Sequence, residues 1–157
     1  MKSRIALLAA TALVSTAAWS QVPQYGANVG AEQARKMVAA AEGEARKNNW
    51  PVAIAVVDNA GLLVHFHRMD GTQTGSVQVA IDKATSSAMF RRPTKAFQDV
   101  VAGGGAGLRI LNLRGASAVE GGVPIVVDGK IMGGIGVSGV NADQDGMVAK
   151  AGADAAK

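Results

Sequence analysis

His65 and His67 are the chain's only histidines, and they stand two residues apart. On an extended strand that spacing puts both on one face, with Cα atoms ~6.5 Å apart. An H-x-H pair can give two ligands to zinc, copper or nickel, or one axial ligand to haem. The plainer reading is two polar side chains on a half-exposed strand face. The chain has no cysteine and no third histidine. A closed metal site would therefore need Asp70, Glu120 or another subunit.

Arg91, Arg92 and Lys95 form a second constellation around Pro93-Thr94. Pro93 disfavours helix in the residue before it, and Thr94 is a natural N-cap for a helix over Lys95–Val101. Cations beside a helix N-terminus, whose free N–H groups already favour negative charge, suit an anionic ligand. They can equally be solvated charges near a cap. Lys83 falls mid-helix beside an apolar stripe, where it would hold an anion or snorkel to solvent. Asp70, in Arg68-Met69-Asp70-Gly71, is placed to pair with Arg68 or to cap the loop.

Gly134-Ile135-Gly136-Val137-Ser138-Gly139 has the GxGxxG form. A dinucleotide loop must leave a strand, open a helix and be followed by an acidic residue about 20 positions on. The chain stops at Lys157, so this stretch reads instead as a glycine-rich strand under a packed helix. No Ser/His/Asp triad and no carboxylate pair declares itself. A binding or sensing role is favoured over a dedicated enzyme. The rivals are a weak enzyme or binding protein for a small organic acid, with Lys83 and Arg92 as its anion clamp, and an interaction module without a small ligand.

These residues need positioning. Ala34, Met37, Val38, Ala41 and Ala45 recur at helical spacing, predicting a helix over Ala31–Asn48. Val52–Val57 is apolar throughout, a strand buried on both faces. Asp58-Asn59-Ala60-Gly61 turns it into Leu62–Arg68, which alternates, so the two form an antiparallel hairpin. Val77, Ala80, Ile81, Ala84 and Ala88 predict a second helix over Ser76–Met89. Leu108–Leu113 is of mixed character, strand or helix. Val123–Val127 and Ile131–Val137 form a second hairpin around Asp128-Gly129-Lys130. Asn141–Gly146 reads as an acidic loop before a short Ala-rich helix over Met147–Lys157. Hairpins without βαβ crossovers imply an α+β domain: an antiparallel sheet of about five strands with helices packed on it.

Composition narrows the partners. The chain has 157 residues, enough for one ordinary domain. The missing cysteines exclude disulfides, thiolate zinc sites and iron–sulfur clusters. Aromatics are 4% of the chain, too few for base-stacking platforms. Lys2 and Arg4 precede an apolar Ile5–Val14 run, and Ala18-Trp19-Ser20 fits a small-x-small cleavage pattern. Residues 1–20 therefore read as a secretory signal peptide, too short to span a bilayer. The expected mature domain is Gln21–Lys157, periplasmic or secreted. Losing Lys2 and Arg4 lowers the formal charge of +4, which weakens the case for a nucleic-acid partner. No second membrane span is expected.

The segment Val52–Gly71 (VAIAVVDNAGLLVHFHRMDG) resembles the hairpin signature of the GlcG/HbpS haem-binding-protein family, also found as a C-terminal domain of PduO-type proteins. The resemblance continues through Ala80-Ile81-Asp82-Lys83-Ala84, Arg92-Pro93-Thr94, Gly121-Gly122-Val123-Pro124, Gly136-Val137-Ser138-Gly139 and Asp145. It implies a profilin-like α+β fold and large homo-oligomers, often octamers. It also implies haem binding, linked in secreted members to haem sensing and oxidative release of its iron. In that family Thr94 lies in a segment near the haem site. The haem propionates would then meet Arg91, Arg92 and Lys95 around Thr94. A threonine hydroxyl is a weak axial ligand suited to an exchangeable site, and His65 or His67 is chemically stronger.

Overall fold

The computed structural model describes residues 22–157; the expected signal peptide, residues 1–20, lies outside them. The element order is β1 (Gln24–Tyr25), α1 (Ala31–Lys47), β2 (Ala53–Val57), β3 (Leu63–Arg68), α2 (Ser76–Phe90), α3 (Thr94–Ala102), a 3-10 helix (Gly105–Asn112), β4 (Gly122–Val127), β5 (Lys130–Ser138) and α4 (Ala142–Asp154). β5 is central. It pairs antiparallel with β2 on one edge and β4 on the other, and β3 extends the sheet beyond β2. The two-residue β1 adds a short parallel pairing to Lys130 and Ile131. Both expected hairpins are present, in a five-stranded sheet with helices on it.

The sheet is covered on both faces. Ile54, Val56, Ile135 and Val137 pack with Met37, Val38 and Ala41 of α1 and Val148 and Ala149 of α4. On the other face, Ala53, Ala55 and Val57 meet Ala80, Ala84 and Ala88 of α2. All five residues of β2 are buried, so the uninterrupted apolar run has its reason in this three-layer arrangement. The alanines and glycines are small because α2 lies close to the sheet. A Cβ on Gly136 would collide with the Ala80 carbonyl, and one on Gly134 with that of Ala84. The GxGxxG stretch is thus β5 itself under α2.

Two local expectations change and one open alternative is resolved. Residues 141–146 are not a loop. α4 begins at Ala142, with a reciprocal cap between Asn141 and Gln144, and Asp143 and Asp145 in its first turn complement the helix dipole. Thr94 does not cap α3. Pro93 holds the cap position without a side-chain bond, and Thr94 is the first helical residue. Leu108–Leu113 falls largely in the 3-10 helix, none of whose residues is buried. No described helix is long and apolar enough to cross a membrane.

Candidate functional site

Among the described residues β4 pairs only with β5, and no described strand lies on its other edge. Pro124 is tolerated on such a strand. Between β4 and α4 opens a cleft of about 540 Å³. Val123, Pro124 and Val126 form an apolar wall. Lys150 comes from α4, Lys95 from the start of α3, and Lys157 from beyond α4, bringing three ammonium groups to one opening. Glu120, Asp128 and Asp154 supply carboxylates. Lys95 pairs with Asp99 at 2.7 Å and Lys150 with Asp154 at 2.5 Å. The Asp99 hydrogen bond holds the Lys95 ammonium pKa above its ordinary value, so Lys95 is a cation at neutral pH.

Two buried glycines, Gly121 and Gly122, form the base of the cleft. Gly121 has φ +126°, and a Cβ there would stand 2.6 Å from the Val137 carbonyl oxygen and 2.8 Å from Lys83 Nζ. Only glycine fits. Gly122 is held by Thr94, whose Oγ1 accepts its N–H at 2.9 Å. Thr94 is fully buried. Its hydroxyl therefore fixes the base of the cleft and does not project into it.

Lys83 lies behind Gly121. Its ammonium donates to Asp145 Oδ2 at 2.8 Å and to the Val137 carbonyl at 3.0 Å, with both ionic side chains at most 3% exposed. Asp145 Oδ1 accepts the Val140 N–H at 3.2 Å. Burial pushes the Asp145 carboxyl above its ordinary range, against the pull of the Lys83 hydrogen bond and charge. The expectation that Lys83 snorkels or holds an external anion is corrected: its charge is committed to a buried partner.

The other predicted residues divide. Arg91 ends α2 in a left-handed conformation, stacks over the Tyr25 ring at 5.3 Å and donates to the Pro23 carbonyl. Arg92 stacks over Phe97 at 5.5 Å and donates to the Phe90 carbonyl. Neither lines the cleft, so the basic cluster is split and only Lys95 reaches it. Arg92 and buried Lys83 form no clamp. His65 and His67 pair across the sheet with Val56 and Ile54. His67 Nε2 lies 3.5 Å from Glu42 Oε1 on α1, away from the cleft. Among the described residues no three histidine or carboxylate side chains gather as a metal site. Asp70 borders a separate shallow hollow with Arg46 and Trp50, and no ion pair joins it to Arg68.

Lys150 and Lys157 line the cleft and were not expected there; Glu120, considered only as a partner of the histidines in a metal site, lines it too, far from them. Lys150 and Lys157 are seven residues apart, a spacing that would keep them on one side of a helix.

The comparisons agree with this architecture. A family model described as "Haem degrading protein HbpS-like" matches residues 29–154. Protein GlcG of Escherichia coli K12 is 42% identical over 107 residues, covering 68% of this chain and 78% of that protein. The crystal structure of a PduOC:heme complex is similar with a TM-score of 0.73 and 28% identity, over 82% of this chain and 94% of the other. A double mutant of HbpS from Streptomyces reticuli gives a TM-score of 0.75 at 28% identity, over 94% of this chain and 97% of the other. With nearly the whole described domain matched in sequence and fold, the chain belongs to the HbpS-like family.

Proposed function

We propose that this protein binds haem in the cleft between β4 and α4, and that it does so as an exported protein once residues 1–20 are removed. The observation that carries the reading is the pairing of an apolar wall, Val123, Pro124 and Val126, with three lysines at the same opening. Haem needs that combination: a slot for the macrocycle and cations for two propionates. Lys157 would hold the propionates together with Lys95 and Lys150, which would exchange the exposed carboxylates of Asp99 and Asp154 for them, and Gly121 and Gly122 leave the base free of side chains. Bound haem would supply a redox-active iron. The structurally similar PduOC:heme complex supports the same ligand class.

On this reading the ligand lies beside Thr94 rather than on it. The Thr94 hydroxyl acts through Gly122. Haemin titrated into the purified mature protein should give a saturable shift of the Soret band. No shift, with thermal stabilisation by small hydroxy or keto acids, would transfer the cleft to the organic-acid reading, which the same lysines favour. Neither response would leave an interaction module.

The homo-oligomer belongs to this proposal too. Leu108, Leu111 and Leu113 are 48%, 65% and 42% exposed along the 3-10 helix and its end. An apolar row of this kind suits a contact between copies.

A further inference from the structure

Glu120 stands out among the cleft's carboxylates. Asp154 is engaged by Lys150, and Asp128 sits at the tip of the β4–β5 turn. Glu120 has no ion pair and no side-chain hydrogen bond among the described residues, while its own N–H is fixed by the Gln98 side-chain oxygen at 2.7 Å. Its carboxylate lies directly against α4 at Gly146, where a Cβ would come within 2.6 Å of Oε1 and 3.1 Å of the carboxyl carbon. The helix has no side chain at the one position where Glu120 needs the space. A half-buried, backbone-anchored carboxylate, with no direct ion pair or hydrogen bond among the described residues but near enough for its charge to act on Lys95, is thus set into the wall of an apolar, lysine-rimmed slot.

The donor set decides what that carboxylate can do. The three lysines present ammonium groups with no lone pair for a metal. Thr94 is buried and occupied by Gly122. The histidines face α1. Hard anionic oxygen suits ferric better than ferrous iron. We propose that Glu120 is the protein's ligand to the ferric iron of haem, making the cleft selective for the oxidised, metal-containing porphyrin. This rests on the reading of the cleft as a haem site.

The test compares haemin with iron-free protoporphyrin IX, which has the same ring and propionates and no metal. Wild-type protein should bind both, with haemin the tighter. Glu120→Gln keeps the size of the side chain and removes the anionic ligand. It should weaken haemin at least about tenfold and alter its Soret and charge-transfer bands, leaving protoporphyrin affinity unchanged. Gly146→Ala, which displaces the carboxylate without removing it, should reproduce the spectral change if circular dichroism shows a native fold. Equal weakening of both porphyrins by Glu120→Gln would make Glu120 a wall residue and overturn the proposal. So would an unchanged haemin spectrum. A wild-type protein that binds neither porphyrin would instead remove the haem reading itself.

Discussion

Lys83 and Asp145 join helices from opposite faces of the sheet. Lys83 comes from α2 and Asp145 from α4, and their charged atoms meet 2.8 Å apart behind the base of the cleft. The pair also grips β5 through the Val137 carbonyl, whose residue in turn donates its N–H to the Gly121 carbonyl at 2.9 Å. The lysine that resembled a ligand-binding group is therefore a positioning residue for the cleft.

Removing one partner leaves the other buried without its counter-charge. Lys83→Met should cost about 3–5 kcal/mol of unfolding free energy. Lys83→Met with Asp145→Leu should recover most of it, since an apolar pair of similar volume is often neutral or better. Urea denaturation of the two variants checks this. A double variant no more stable than the single one would mean that the pair does more than neutralise itself.

The pH dependence follows from Asp145. Its folded carboxyl is raised above the ordinary value by burial. Such a group contributes stability that is fully present below the unfolded pKa of about 3.9 and is lost as pH rises through the folded value. The unfolding free energy of wild type relative to Asp145→Asn should therefore grow as the pH is lowered from neutral to about 4. A difference that shrinks on acidification would mean that Lys83 outweighs desolvation and lowers this carboxyl.

Thr94 separates a structural hydroxyl from a liganding one. Thr94→Val deletes the acceptor for the buried Gly122 N–H and should cost about 1–3 kcal/mol. Thr94→Ser keeps the acceptor and should bind haemin as wild type does. A Thr94→Val protein of unchanged stability that loses the haemin spectrum would return the iron to Thr94.

Self-association is tested at Leu111, 65% exposed on the 3-10 helix. If copies associate through this face, Leu111→Lys should shift sedimentation of the Gln21–Lys157 chain from an assembly to a ~14 kDa monomer without changing its circular dichroism. An identical sedimentation profile for the two proteins would exclude this face as the contact.

The fold was legible where periodicity and burial coincide. Ala34, Met37, Val38, Ala41 and Ala45 define α1 because each faces the sheet. Val52–Val57 reads as a doubly covered strand because α1 and α2 flank it. The start of α4 was hidden by Asp143 and Asp145, acidic residues that look like a loop but favour a helix N-terminus. The site was less legible. Arg91, Arg92 and Lys95 are adjacent in sequence, yet the left-handed turn at Arg91 sends the arginines to Tyr25 and Phe97. Lys95 and Lys150 are distant in sequence and meet only because α4 packs beside β4. Nothing in a linear pattern distinguishes Lys83 as buried. Its partner Asp145 is 62 residues away.

Haemin titration of a charge-reversed cleft decides where the haem sits. Lys95 and Lys150 have side chains 50% and 69% exposed, so Lys95→Glu with Lys150→Glu should leave the fold intact. The doubly reversed protein should lose at least about tenfold in haemin affinity, the equivalent of one charge-assisted hydrogen bond, whereas His65→Ala with His67→Ala should titrate as wild type. Full affinity in the lysine variant, with the Soret shift lost in the histidine variant, would contradict the cleft and move the haem to the α1 face of β3.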